Sequence, residues 1–465
     1  MLKLVTLALR YACRRLQPLA SSVTHLDNRC QPVIQAVLCA IRAVSGWFDA
    51  TGGGLVTRLG SDPAVARRRR VTLALCWAVL ILEAYDIVVY GAAVPALLGH
   101  TAWALGEREI GILGSVAPVG MLFGAILAGS FADSRGRRPV LMNGVVVFSL
   151  GTLVCAAAPT PFIFGAGRLM VGLGAGVLLP TAAAFVAEFA PPGRRNVYQG
   201  VVFGGIGVGG ALSASAAIAL ADNGFRALFL VGVLPAVVLI PMLLRWLPES
   251  QEFLDAREGA AGLRSSRAES WLLLIDRDYA VRTILFWTAT FLSLLVLFGA
   301  YTWLPLLMNR AGYDLGPSLG FLLVLNVGVV VGSLTSSRLA DRFGGRWVIF
   351  GSFVSASAAF ALLAQAPPIL AGYALVAIVG AGAVNAQFLI YAYVAASYPT
   401  LHRGTAMGAA LGVGRLGGVL GPVYGGWLIA ERLPMAAGFY GLALPALLAA
   451  AIVVGFPATP HIGSH

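Results

Sequence analysis

Long apolar runs separated by short polar breaks dominate the chain from Val71 onward. They fall near 71–98, 108–131, 139–158, 161–185, 197–220, 226–246, 281–308, 317–340, 346–365, 368–397, 403–428 and 436–456. A helix needs about 20 residues to cross the hydrocarbon core, and these runs are long enough. They are apolar on every face, whereas barrel strands alternate in segments of about ten residues, so a β-barrel is excluded. In lipid a helix satisfies its backbone N–H and C=O groups within one segment. The pattern predicts an all-α integral membrane protein with twelve transmembrane helices.

Composition agrees with that reading. Of 465 residues, 58% are hydrophobic and 11% charged, and the mean hydropathy is +0.84. Such a chain lacks the polar surface to cover a water-soluble globule of its size. The net charge of +12 raises the question of a nucleic-acid partner, but the basic residues sit between helices in an alternating pattern. Clusters occur at Arg67 to Arg70, at Arg135, Arg137 and Arg138, at Arg194 and Arg195, through the central loop, at Arg342 and Arg346, and at Arg403. The opposite connections hold little more than Arg108, Arg226, Arg310 and Arg432. The charge is therefore topological, no nucleic-acid partner is expected, and the positive-inside rule puts both termini and the central loop in the cytoplasm. The expected location is the plasma membrane, with the bilayer as solvent.

The expected divisions are an N-terminal extension over 1–70, a six-helix bundle over 71–246, a cytoplasmic loop over 247–280, a second bundle over 281–456 and a tail over 457–465. Segment 1–22 bears arginine and no acid, and reads as a targeting or interfacial segment, a dispensable tail or the product of an upstream start codon. Cys13, Cys30, Cys39, Cys76 and Cys155 show no metal-ligand or disulfide spacing. His25, His100, His402, His461 and His465 lie in tails or loops, which argues against a histidine proton relay. No metal site, cofactor or ATP-binding loop is expected, so work must be driven by an ion gradient.

The two halves repeat at an offset of about 208. Gly129, Asp133 and Gly136 fall on Ser337, Asp341 and Gly344; Pro191 and Arg195 fall on Pro399 and Arg403. Gly200, Gly204, Gly209 and Gly210 fall on Gly408, Gly412, Gly417 and Gly418, and Pro95 meets Pro305 at a slightly different offset. Two pseudo-symmetric six-helix bundles in parallel repeat are the architecture of transporters that alternate access around a midplane site.

What breaks the repeat points to chemistry. Glu83 and Asp86 correspond to Ser293 and Val296, Arg168 to Val376, and Arg415 to Gly207. A charge near the bilayer centre costs about 2.5–3.5 kcal/mol even on the lenient insertion scale, so it faces a cavity or a partner. Glu83, Asp86 and Tyr90 share one helical face and are expected to line the path. The two carboxylates repel each other when both are ionised, so Asp86 or Glu83 is the candidate proton carrier. Arg168 and Arg415 can grip a carboxylate in a bidentate fork, which points to a small anionic substrate. The alternative is that these charges pair with one another, Arg168 gripping the first helix. Asn326, Asn385, Gln387, Tyr391 and Tyr393 can bond a substrate or a neighbouring helix.

The segment Gly-Ser-Phe-Ala-Asp133-Ser-Arg-Gly136-Arg137-Arg138-Pro reads as a gating latch on the cytoplasmic side. Gly136 permits a tight turn, and the arginines can reach Asp133 or the terminal carbonyls of a neighbouring helix. Asp341 and Arg346 are its counterpart in the second half.

These motifs resemble the major facilitator superfamily over roughly 71–456, and within it the aromatic acid:proton symporters. The subfamily likeness rests on Tyr85-Asp86-Ile-Val-Val-Tyr90-Gly91-Ala-Ala-Val-Pro95, on Gly167-Arg168 leading to Pro180, on Glu188-Phe-Ala-Pro-Pro-Gly-Arg194-Arg195-Asn196, and on Tyr398-Pro399-Thr400 leading to Gly414-Arg415 and Gly421-Pro422. The resemblance implies import of benzoate-like or hydroxybenzoate-like anions with protons by a monomeric carrier that is not an enzyme. One departure stands out: the subfamily begins its first helix Asp-Gly-(Phe/Tyr)-Asp, whereas here Glu83 and Ala84 take the first two places. The rivals are sugar or other metabolite uptake, for which Pro248-Glu249-Ser250 resembles the sugar-porter ending, drug efflux, and a transporter-like sensor.

Overall fold

The computed structural model describes residues 63–190, 195–250, 276–398, 402–431 and 433–457, with Leu254, Leu273 and Leu274 between them. The extension before residue 63, most of the central loop and the tail after residue 457 lie outside the described residues. The helices are α1 (Pro63–Leu98), α2 (Glu107–Arg135), α3 (Arg137–Ala157), α4 (Pro161–Phe189), α5 (Arg195–Ala219) and α6 (Gly224–Trp246) in the first half. In the second half come α7 (Arg277–Arg310), α8 (Leu315–Phe343), α9 (Gly345–Leu363), α10, α11 (Arg403–Ala430) and α12 (Met435–Val454). Helix α10 has three parts: Ile369–Val379, a π segment over Gly380–Val384, and Asn385–Ser397.

Among the described residues eleven helices are long and apolar enough to cross a membrane, and α8 carries a shorter apolar stretch at Ser318–Ser333. Large apolar side chains such as Phe162 (86% exposed) and Leu370 (79%) point away from the protein, as lipid-facing residues do. Two details differ from the hydropathy pattern. Helix α1 starts at Pro63 rather than near 71, so Arg67 to Arg70 ride on its first turns; at 36 residues it is about 54 Å long and outreaches the hydrocarbon core. The apolar run over 368–397 is interrupted by the π segment, where Gly-Ala-Gly offers weak α-helical preference.

Local sequence explains several helix starts. Thr160 caps α4 by accepting a hydrogen bond from Ile163 N, and Pro161 occupies the first turn, where its missing N–H is not needed. Glu109 reaches back to accept from Gly106 N (2.9 Å) at the start of α2. Gly136 and Gly344 precede α3 and α9 with φ of 95° and 83°, a conformation that favours glycine, so the turn is repeated as well as the sequence.

The described residues pack into two compact units, one holding the chain up to Val89 and from Phe123 to the central loop, the other holding Tyr90–Leu122 and the chain beyond the loop. Within the first, a β-carbon on Gly174 of α4 would lie 2.6 Å from Gly144 O of α3, and one on Gly209 of α5 would lie 2.3 Å from Ile81 O of α1. Within the second, Gly382 of α10 meets Ser352 O of α9 at 2.5 Å and Gly417 of α11 meets Phe291 O of α7 at 2.0 Å, by the same construction. Small residues thus let the same helix pairs approach backbone to backbone in both units.

The second unit also contains the end of α1 and the beginning of α2. Gly111 of α2 lies against Pro422 and Val423 of α11, Ser115 Oγ donates to Val419 O, and Trp303 Nε1 of α7 donates to Pro422 O (2.8 Å). At the start of α2, Glu107 pairs with Arg310 and Arg108 with Glu431. In the first unit Arg226 donates to Ala158 O (2.9 Å). Arg108, Arg226 and Arg310, which the topology assigns to the non-cytoplasmic side, are therefore all engaged by protein acceptors.

Candidate functional site

The first unit buries an ion pair. Asp86 of α1 is 2% exposed and Arg168 of α4 is 3% exposed, and Arg168 Nη1 donates to Asp86 Oδ2 at 2.6 Å. Three contacts fix the faces that meet. Tyr85 Oη donates to Leu228 O of α6 (3.0 Å), Gly209 of α5 abuts Ile81 O, and the Arg168 guanidinium lies 5.9 Å from the centroid of the Phe229 ring. Asp86 Oδ1 has no hydrogen-bond partner in the structure, so the carboxylate is held at one oxygen. Glu83 is buried one turn earlier on α1. The two alternatives left open by the sequence thus resolve, for this arrangement, to pairing between Arg168 and Asp86. A pair so dry is strongly coupled to the protonation of its acid, because a neutral carboxyl no longer balances the guanidinium.

The second unit gathers neutral polar side chains near Arg415. Tyr391 of α10 lies within electrostatic reach of Arg415 of α11 and beside Gln387, one turn earlier on its own helix. Gln387 is 3% exposed, yet neither its Oε1 nor its Nε2 makes a hydrogen bond of good geometry; its nearness to Tyr391 does not amount to one.

The other polar candidates divide differently. Asn326 is fully buried and committed, its Nδ2 donating to Leu322 O (2.8 Å) and its Oδ1 accepting from Tyr301 Oη (3.1 Å). Asn385 Nδ2 donates to Val329 O (3.1 Å) of α8 and to Ala381 O (3.2 Å) within the π segment, while its Oδ1 is unbonded. Tyr393 Oη donates to Pro457 O. Tyr90 does not join Glu83 and Asp86 in the first unit. It packs in the second, its hydroxyl donating to Ile110 O of α2.

The predicted latch is built with partners the sequence did not pair. Glu249 Oε1 accepts from Arg137 N (2.9 Å), Arg138 N (3.0 Å) and Ser250 N (2.9 Å), placing a carboxylate at the positive N-terminus of α3. Glu188 Oε2 accepts from Arg137 Nη1 (3.0 Å) and Ser250 Oγ (2.7 Å), and Arg138 Nη2 donates to Leu244 O at the end of α6 (2.6 Å). A β-carbon at Gly136 would come within 2.6 Å of Glu249 Oε2, so the glycine is needed for room as well as for its φ. Asp133 and Asp341 lie in helices, but their side chains are outside the described residues. Arg346 donates to Val454 O at the end of α12 and its guanidinium lies 5.1 Å from the Trp347 ring centroid. Glu188 and Glu249 were visible as motif residues; their meeting with Arg137 spans 51 and 112 positions and had no local signal. Among the described residues no group of three His, Cys, Asp or Glu side chains could hold a metal ion.

Comparison with known proteins agrees with this architecture. The family model described as Major Facilitator Superfamily matches residues 76–335 and 318–464. The chain is 36% identical over 397 residues to a gentisate transporter of Corynebacterium glutamicum, covering 83% of this chain and 87% of that protein. It is 32% identical to a benzoate transport protein of Acinetobacter baylyi (80% and 85% covered) and 32% identical to a 3-(3-hydroxy-phenyl)propionate transporter of Escherichia coli (78% and 88% covered). Among solved structures, a D-xylose-proton symporter superposes with a TM-score of 0.68 at 18% identity, covering 84% of this chain and 98% of that one, a likeness of fold. With its twelve helices, glycine-mediated repeat and matching family model, this multi-pass membrane protein belongs to the Major Facilitator Superfamily.

Proposed function

We propose that the protein imports a small aromatic carboxylate together with a proton across the plasma membrane, as a monomer with both termini in the cytoplasm. The observation that carries the reading is the buried Asp86–Arg168 pair, joined to relatives whose names are those of gentisate, benzoate and hydroxyphenylpropionate transporters. With Asp86 ionised, Arg168 is neutralised by its own protein. A proton on Asp86 Oδ1, the oxygen left unbonded, cancels that negative charge and weakens the hold on the guanidinium. Arg168 then becomes able to attract an anion, so proton and carboxylate load together and the net charge of the dry region stays nearly constant. Arg415 offers a second cationic group on α11, suited to the substrate carboxylate. Glu83 assists Asp86 from the preceding turn.

Transport requires the site to open to each side in turn, which in this superfamily is a rearrangement of repeats about a midplane site. In the proposed cycle the Arg137, Arg138, Glu188 and Glu249 cluster gates the cytoplasmic side, with Asp133, Asp341 and Arg346 in the same role.

The test is uptake of labelled benzoate and hydroxybenzoates into proteoliposomes with an imposed inward proton gradient. The wild type should accumulate the acids only with the gradient. Asp86→Asn should abolish gradient-driven accumulation, and Arg415→Ala should raise the half-saturating concentration by at least about tenfold, the loss of a charge-assisted contact. If wild type accumulates none of these acids, the substrate assignment fails; if both variants behave as wild type, the assigned residues fail.

A further inference from the structure

Gln387 has no structural work to explain its place. It is almost fully buried in the second unit, and both amide atoms lack hydrogen bonds of good geometry. A buried amide without partners is destabilising, so native proteins leave one open mainly where a ligand closes it. Its neighbours on the same helix are spoken for in ways that it is not: Asn385 is tied to α8 and the π segment through Nδ2, while Tyr393 is tied to Pro457 O. On α8, Asn326 is satisfied at both ends. At the repeat offset, Gln387 and Tyr391 fall on Leu179 and Ala183 of α4, so the scaffold itself does not call for polar side chains there.

The two open atoms ask for opposite things: Nε2 needs an acceptor and Oε1 needs a donor. A substrate carboxylate can serve only Nε2, since an ionised carboxylate has no hydrogen to give. A ring hydroxyl both donates and accepts, and it is the simplest substituent of an aromatic acid that could serve either atom. Tyr391, on the Gln387 face of α10, lies within electrostatic reach of Arg415, so the amide stands close to a group suited to the carboxylate end of the same molecule.

We propose that Gln387 is a specificity residue that bonds a ring hydroxyl, making hydroxylated aromatic acids the preferred substrates over benzoate itself. The inference rests on the aromatic-acid reading above and adds the substituent to it. Sites built to bond a hydroxyl reject the analogue lacking it, because their buried polar groups are then left unpaired.

The experiment is gradient-driven uptake of 2,5-dihydroxybenzoate, 4-hydroxybenzoate and benzoate by wild-type and Gln387→Met proteoliposomes, with the ratio of kcat/KM between hydroxylated acid and benzoate as readout. Wild type should favour at least one hydroxylated acid by about tenfold or more, and Gln387→Met, similar in size but without the amide, should bring that ratio close to one. A wild-type ratio near one, as expected if Gln387 merely holds water, overturns the proposal without any variant. So does a variant that loses all three acids in parallel, which is the mark of a structural role. A variant that keeps the wild-type ratio also overturns it. Should Gln387→Met fail to reach the membrane, Gln387→Asn, which shortens the amide, must still lower the ratio. Wild type that carries benzoate alone leaves the transport assignment standing and removes this one; wild type that carries no aromatic acid removes both.

Discussion

Helices α4 and α10 occupy equivalent places in the repeat, and what they share differs in kind from what separates them. Each meets the preceding helix through a glycine, Gly174 against Gly144 O and Gly382 against Ser352 O, at separations that no side chain would tolerate. Their chemistry diverges. Helix α4 carries Arg168 where α10 carries the buried Val376, and α10 carries Gln387 and Tyr391 where α4 carries Leu179 and Ala183. Helix α4 runs continuously over Pro161–Phe189, whereas α10 is loosened by the π segment immediately before its polar residues. The duplication has kept the packing twice and divided the function, with a charge pair in the first unit and neutral hydrogen-bonding groups beside an arginine in the second.

The largest effect is expected from making α4 copy α10 at one position. Arg168→Val leaves Asp86 buried without its cation, which should lower stability by about 3–5 kcal/mol, read as thermal unfolding in detergent, and end transport. The double variant with Asp86→Val should recover much of that stability and none of the proton-driven uptake. Recovery of both would show that the pair is scaffold alone.

A smaller effect tests the shared part. Gly174→Ala and Gly382→Ala should each destabilise by about 1–3 kcal/mol, and by similar amounts, since the added carbon meets equivalent backbone in the two units. A large inequality would mean that the packing symmetry is superficial.

Glu249→Ala should cost about 0.5–2 kcal/mol, the range for losing a helix cap, because three N–H groups lose their acceptor. Thermal unfolding of that variant beside Glu249→Gln separates the loss of the acceptor from the loss of charge. The smallest change is expected from Arg310→Ala, whose pair with Glu107 is part-exposed and worth about 1 kcal/mol or less. A larger loss of stability there would show that this ion pair is insulated from solvent.

Much of this was legible in the sequence. Membrane insertion, the twelve-helix count and the repeat follow from hydropathy and self-similarity, because lipid imposes one solution on every spanning segment and leaves its mark on each residue of the run. The suspicion attached to Asp86, Arg168 and Arg415 was also available, since a charge in an apolar run is conspicuous wherever it points. Contacts across long sequence separations were not. That Arg168 holds Asp86, that Tyr90 bonds Ile110 O, and that Glu249 caps α3 depend on which helix faces meet, and a helix apolar on all sides gives no periodicity from which to read its facing side. Polar residues of the same type were equally indistinguishable before folding. Asn326 and Gln387 are both amides in apolar helices, and only the tertiary structure supplied Tyr301 and Leu322 to satisfy the first while leaving the second open. Hydropathy acts locally and is written along the chain, whereas hydrogen-bond satisfaction is decided by neighbours that the fold brings from elsewhere.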